Sequence, residues 1–364
     1  MIVAVNATAA RESGAQTILR QFLNALASYR GDDRYIIFIP EQLDFAPMEG
    51  VEFVKVDTST WCRRIRWDKS GFRRCMKEKG ISPDVIFSMQ NTGVNYDLPV
   101  PQYIYYHQLL PLSEHRWNPF KSSERLYFLY KHVYRLFVQR SLRRADRVIV
   151  QLDSTKTDFL RVYRYPADRV EVVRPDIPQH DFLKVPKTVF DDGKVHLFFP
   201  AKPLPYKNHI VIVRAMEILA REGLAGRFMV HFSIGADDRS TAFVREIFDK
   251  RLEKSFAFEG MMPFEKVFSY YRSVDALLFP SYIESFGLPL IEAASAGLKV
   301  ICSDLPYARE VLAGYRGATF VPYDDARAWA ENIKGISGVK NKLLPLSPDA
   351  GSQWEKVFRI LHND

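Results

Sequence analysis

Two glutamates eight positions apart, Glu284 and Glu292, bracket the segment ESFGLPLIE. Upstream, Lys202 and Lys207 stand in FFPAKPLPYKN, residues 198–208. Carboxylates can accept hydrogen bonds from the hydroxyls of a sugar, and ammonium groups can balance the charge of a phosphate. That combination suits a hydroxyl-rich, phosphorylated ligand. No Walker loop, zinc-ligand spacing or Ser/His/Asp arrangement occurs elsewhere in the chain. Asp237 and Asp238 are adjacent loop acids, which is poor metal-site chemistry.

The elements around these residues must present them to a common ligand. DALLFP (275–280) reads as a buried strand and YIESFG (282–287) as the loop that follows it. Pro289 suits the first turn of a helix, where its missing N–H costs nothing, and Gly297 suits the end of that helix. Glu292 then lies about one turn inside the helix, on a face that looks back to the loop carrying Glu284. The N–H groups of Gly287 and Leu288 stand at the positive end of the helix dipole, ready for phosphate. One carboxylate can hold a ribose and the other a sugar, so a sugar nucleotide lying across the helix start fits the pattern.

Strand and helix signals alternate along the rest of the chain. Apolar runs at 1–6, 34–40, 51–56, 84–89, 101–107, 147–151 and 170–175 read as strands, with helices at 14–29 and 121–144 among them. From 174 to 194 the periodicity dissolves into prolines and charges, which marks a linker. Strands resume at 195–200, 227–235, 255–260, 275–280 and 299–303, with a helix at 208–222. Near-continuous apolar strands between helices predict parallel sheets covered on both faces. The expected fold is α/β, with two tandem Rossmann-like, doubly wound domains facing a cleft. A terminal helix would present Trp354, Val357 and Leu361 on one face.

Composition narrows the class. The 364 residues are 47% hydrophobic and 26% charged, which describes a globular protein large enough for two domains. No apolar run is long enough to span a bilayer, and the first residues lack a signal-peptide pattern. Three cysteines without a CxxC pair point to a reducing compartment, so a cytoplasmic location is expected. Net charge is +8, and it is concentrated. Residues 61–80 and 121–147 each hold eight Lys/Arg against two acids, interleaved with aromatics. They are either two solvated helix faces or a contact with an anionic membrane surface. No nucleic-acid motif accompanies them.

ESFGLPLIE resembles the Glu-x7-Glu motif of retaining glycosyltransferases of family 4, which have the GT-B fold. The resemblance implies that Glu292 binds the ribose and Glu284 contacts the donor sugar, with Ser285, Phe286, Gly287 and Leu288 lying along the donor. It implies that Lys207 and Lys202 hold the donor diphosphate. The family pattern there is similar to G-R-L-x-x-x-K-N, so Lys202 replaces an arginine and Ala201 a glycine. A lysine keeps the charge and loses the bidentate fork. In the first domain, Gly14 of RESGA lets backbone approach a ligand, although the family often has a second glycine where Ser13 stands. Arg11 either faces an anionic acceptor or the donor phosphate, or is a plain surface arginine. His107, closing YIYYH, either faces donor sugar or acceptor or is a packed side chain. Phe258 to Met261 would bracket the nucleotide base.

The resemblance therefore implies an acceptor-binding domain at 1–180, a nucleotide-sugar-binding domain at 181–346, and a helix at 347–364 returning to the first. It implies a retaining, metal-independent transferase without cofactor. The substrates would be a nucleotide-diphosphate sugar and a saccharide or lipid-linked saccharide acceptor, as in bacterial surface-glycan assembly. The protein could then lie peripherally on the inner face of the cell membrane. A sugar-nucleotide epimerase on a similar fold and a non-catalytic sugar-nucleotide-binding subunit are the alternatives.

Overall fold

The computed structural model describes all residues except 12, 30, 98, 178–183, 236–240, 337–342, 348–351 and 363–364, and leaves out the Ser13 side chain. Asp237 and Asp238 and the expected boundary at 180/181 lie outside the described residues. The chain divides into two compact units, Met1–Asp176 with Gly351–Asp364, and Ile177–Ala350.

In the first unit, seven parallel strands stand in the order β3-β2-β1-β4-β5-β6-β7. They are β1 (Ile2–Asn6), β2 (Arg34–Pro40), β3 (Val51–Val56), β4 (Val85–Ser88), β5 (Gln102–Tyr105), β6 (Arg147–Val150) and β7 (Val170–Val172). Residues of the central strands are buried on both sides, which is why their sequences read as unbroken apolar runs. One face packs on the helix Ser13–Ser28 through Leu19, Phe22 and Leu23.

The terminal helix Trp354–Leu361 completes that layer. Trp354, Val357 and Leu361 are all buried, and Trp354 stacks on Tyr105 with ring centres 5.6 Å apart. Asp176 ties both chain crossings to this unit. Its carboxylate accepts from Ser352 Oγ at 2.7 Å and from the Gln353 N–H at 2.9 Å. Its backbone N–H donates to Gln21 Oε1 at 3.0 Å.

The second unit repeats the plan with six parallel strands in the order β10-β9-β8-β11-β12-β13. These are β8 (Val195–Phe199), β9 (Phe228–Phe232), β10 (Phe256–Phe258), β11 (Ala276–Phe279), β12 (Lys299–Ser303) and β13 (Ala318–Val321). β13 has no counterpart in the sequence reading. In both units the first strand lies beside the fourth, β1 against β4 and β8 against β11. At that point the winding reverses, and the loops leaving the two strands part to open a crevice.

Candidate functional site

The crevice of the second unit collects the residues singled out above. The loop after β8 ends in a short turn, Pro205–Lys207, and Asn208 adopts φ 61° to enter the next helix. Asn208 Nδ2 donates to Pro280 O at 3.3 Å and to Tyr323 O at 2.7 Å. The Tyr282 N–H donates to Tyr206 O at 2.9 Å. These bonds bolt the loop after β8 to the loop after β11.

The consequence is an ion pair. Lys207 Nζ donates to Glu284 Oε1, with both side chains mostly buried, at 19% and 11% exposure. Its ammonium also lies 5.9 Å from the ring centres of Tyr206 and Phe279. A half-buried charge needs a partner. Each group here supplies the other's until a ligand brings hydroxyls to the carboxylate and an anion to the ammonium. Lys202 is exposed at the start of the same loop.

Beyond Glu284 the chain turns into the helix Leu288–Ser295 through Gly287, whose φ is 85°. A Cβ there would sit 3.2 Å from Leu290 Cδ1 and 3.4 Å from Tyr307 Cε2, so backbone and space both select glycine. Pro289 occupies the first turn, and Gly297 at φ 70° closes the helix, as its sequence position implies. Phe286 is buried while Ser285 and Leu288 are half-buried, so Phe286 would meet a ligand with its backbone.

Glu292 lies one turn in. Tyr271 OH donates to its Oε2 at 3.0 Å. Burial pushes its carboxyl up to about 7, and the Tyr271 bond offsets only part of that. Tyr271 has no distinguishing signal in the sequence, where two tyrosines stand side by side.

At the end of β10, Phe258 stacks parallel to Phe248 at 6.4 Å, and Met261 is 97% exposed. Between them, Glu259 Oε1 lies 2.8 Å from His231 Nδ1. His231 Nε2 is 2.9 Å from His196 Nδ1, and His196 Nε2 is 2.8 Å from Asp192 Oδ1. His231 holds the Glu259 carboxyl down to about 2. Three separate segments of the sequence supply these four residues, and no motif joins them.

In the first unit, His107 follows β5. Its N–H and that of Gln108 donate to Asn91 Oδ1 at 2.7 and 2.9 Å. Asn91 itself takes φ 69°; the turn-forming text QNTG (90–93) is the signal that marks it. The buried Nδ1 of His107 has no hydrogen-bond partner among the described residues. Burial, aided by nearby Arg64, pushes the imidazole down to about 4, so at neutral pH it is an uncharged donor and acceptor. Arg11 is engaged inside the unit, donating to Ser59 O at 2.9 Å and to Thr58 Oγ1 at 3.3 Å. It tethers the loop after β3. Gly14 leaves open space where a Cβ would stand.

Among the described residues no cluster of three or more His, Cys, Asp or Glu could hold a metal ion. No helix among them is long and apolar enough to cross a membrane.

Comparison with known proteins fits this geometry. The model for glycosyl transferases group 1 matches residues 182–341, and that for glycosyltransferase family 4 matches residues 13–177. The O-antigen chain mannosyltransferase RfbU of Salmonella typhimurium is 24% identical over 209 residues, which cover 57% of this chain and 56% of that protein. The chain spans about half the length of the curated relatives it matches. Sucrose-phosphate synthase of Thermosynechococcus elongatus superposes with a TM-score of 0.69 at 17% identity, covering 92% of this chain and 89% of that one. Anabaena HepE, solved with UDP and glucose, gives 0.61 at 14% identity, covering 92% and 89%. At such identities the solved structures speak for the fold, which is GT-B. With the two family models matching one unit each, the chain belongs to glycosyltransferase family 4.

Proposed function

We propose that the chain is a retaining, metal-independent glycosyltransferase that moves a sugar from a nucleotide diphosphate to a saccharide hydroxyl in surface-glycan assembly. The observation that carries this reading is the Lys207–Glu284 pair at the β8/β11 crevice, with Glu292 one turn into the helix that follows. Glu292 accepts from the ribose hydroxyls. Lys207 and Lys202 take the diphosphate, and the N–H groups at Gly287 and Leu288 face it from the helix start. Glu284, released from Lys207 by the incoming phosphate, orients the donor sugar. Phe258 to Met261 lie against the base.

In the transfer step the bond between the anomeric carbon and the phosphate oxygen breaks, and the diphosphate leaves with the electron pair. Lys207 and Lys202 stabilise that charge, a task two cations perform without a metal. The acceptor oxygen bonds to the anomeric carbon on the face the phosphate vacates, and its proton passes to the departing phosphate oxygen. Configuration is thereby kept. Neutral His107 belongs to the first unit and serves the acceptor in this scheme, and Gly14 of the same unit lets backbone approach the donor. The O-antigen assignment of a relative supports a saccharide acceptor, and the UDP and glucose bound by HepE support a nucleotide-sugar donor.

The test begins with thermal shifts against UDP, GDP, ADP and their sugars, since a ligand of the folded state raises Tm. Donor turnover with a panel of saccharide acceptors follows, with the product anomer read by NMR and with EDTA present. A shift lost in Glu292→Ala, with EDTA-resistant, acceptor-dependent turnover and retained configuration, is the expected result. Turnover of donor to an isomer without acceptor would mean an epimerase instead, and binding without turnover a non-catalytic subunit.

A further inference from the structure

The first unit carries a surface that the proposed transfer leaves unused. Residues 61–78 and 122–144 form two helices, each with one widened turn, at Trp67–Gly71 and Tyr130–Tyr134. The second helix is apolar on two sides. Inward, Tyr134, Val138 and Leu142 join a buried cluster. Outward, Leu126, Leu129, Val133, Leu136 and Phe137 are exposed, Leu136 to 63%. Their spacing of three and four residues sets them along one stripe. A continuous apolar stripe of this length on a water-facing surface marks a contact site.

The stripe runs into a cavity. A space of 360 Å³ opens between the two helices and the loop at 92–95. Its apolar wall includes Trp61, Ile65 and Phe137, all of them exposed. Arg64, Lys69, Arg140 and Arg144 line it as well. Arg64 spends one N–H on Gln90 O at 3.1 Å, and Arg144 spends one on Asn95 Oδ1. The side chains of Lys69 and Arg140 have no hydrogen bond or ion pair among the described residues. Asp68 also borders the cavity, but Gln90 and Thr92 donate to its two oxygens and engage it within the protein.

We propose that this groove seats the phosphate of one anionic phospholipid in a bilayer leaflet, with the stripe from Leu126 to Phe137 entering the interface around it. An occupant must satisfy a cationic end and an apolar end at once, and such a lipid does. A free phosphate would leave the stripe in water, and nucleic acid would gain nothing from it. The surplus of cations on residues 61–80 and 121–147, eight against two acids in each, extends the attraction beyond the cavity. Trp61, with its ring 5.3 Å from Tyr130, stands where an interfacial aromatic belongs. The seat does not depend on the transferase reading.

Trp61 also provides the probe. It is 44% exposed, whereas Trp67, Trp117, Trp329 and Trp354 are at 8%, 5%, 0% and 1%. The full chain is mixed at low salt with phosphatidylcholine vesicles, with or without one third phosphatidylglycerol, each carrying a brominated lipid. Flotation and tryptophan quenching are both recorded. Both should occur with the anionic vesicles and fade at high salt. Trp61→Phe should lose the quenching and still float. Leu129→Asp with Leu136→Asp, and Lys69→Glu with Arg140→Glu, should float poorly, the latter by at least roughly fivefold per cation. All four positions are exposed, and an unchanged melt and nucleotide-dependent thermal shift report that each variant is folded.

Absence of flotation by the folded wild type at low salt overturns the proposal. So does equal binding to pure phosphatidylcholine. Binding of soluble glycerol phosphate as tight as that of vesicles would make the cavity a bare phosphate subsite. Preference for an acidic amphipathic peptide over lipid would make it a protein-docking groove. A missing nucleotide shift with intact flotation would count against the transferase reading alone.

Discussion

Tyr271 OH donates to Glu292 Oε2 at 3.0 Å, and the carboxyl it holds titrates near neutrality, at about 7. In the proposed donor site ribose hydroxyls donate to this carboxylate, so the deprotonated form is the one expected to bind. Below pH 7 each unit of acidification should weaken nucleotide binding by about tenfold, until the pKa of the bound state is reached. Calorimetric titration at pH 6 and pH 8 should give a difference of about that size, and Glu292→Gln should bind weakly and independently of pH. The same shift bears on stability. The folded carboxyl lies above its unfolded value of 4.5, so its contribution is fully present below pH 4.5 and is lost as pH rises through 7. Glu292→Gln should therefore stabilise the unliganded protein at pH 8, by on the order of 3 kcal/mol. Tyr271→Phe should move the binding midpoint further alkaline.

The Lys207–Glu284 pair predicts a different pattern. Removing one partner leaves the other charge mostly buried and alone. Lys207→Ala should cost roughly 1–3 kcal/mol in the melt of the second unit and abolish transfer. Combining Lys207→Met with Glu284→Gln removes both charges and should restore most of the stability while transfer stays lost. Differential scanning calorimetry with a parallel turnover assay separates the two effects. If the double variant melts as low as the single one, the pair is not what holds these loops.

The parts of this architecture that are legible in the sequence are those set by burial and by backbone geometry. Arg34–Pro40, Val51–Val56 and Lys299–Ser303 can be placed to the residue because short runs rich in β-branched and aromatic residues, bounded by polar text, have few other homes. Gly287, Pro289 and Gly297 announce a helix start and stop, and both occur where expected. β13 is hidden because Ala318–Val321 is four residues long and three of them are only half-buried. The side-chain network is hidden for a stronger reason. Which of Tyr270 and Tyr271 turns to Glu292 depends on helix rotation, and His196, His231 and Glu259 meet only once three strands are in register. Motifs report what touches a ligand; the residues that hold those residues in place carry no motif of their own.

Gly287 tests whether backbone conformation sets the loop that enters the helix Leu288–Ser295. Alanine there meets both the positive φ of 85° and neighbours at 3.2 and 3.4 Å. Gly287→Ala should lower stability by about 1–3 kcal/mol and weaken nucleotide binding, because the N–H groups at the helix start would turn away. Gly14→Ala is the contrast, since a Cβ there meets nothing within 4 Å. It should leave the melt within about 0.5 kcal/mol and alter only ligand-dependent readouts. Comparable destabilisation by both substitutions would contradict this account of position 287.

The relay from Asp192 to Glu259 yields an acid-stability prediction by counting protons. Asp192, His196, His231 and Glu259 define three hydrogen-bonded gaps, and two neutral imidazoles supply only two protons. One more must reside in the chain for all three bonds to form. Glu259, held at about 2 by His231 first, with help from Tyr270 and Lys266, stays a carboxylate throughout. Its folded pKa lies below the unfolded value of 4.5, so its stabilisation is present above pH 4.5 and is lost as pH falls toward 2. His231→Gln removes the strongest of those bonds. The acid-unfolding midpoint should move to higher pH. Acid unfolding of the variant beside the wild type, followed by circular dichroism, makes the comparison. An unchanged midpoint would mean that Glu259 is set by Tyr270 and Lys266 instead.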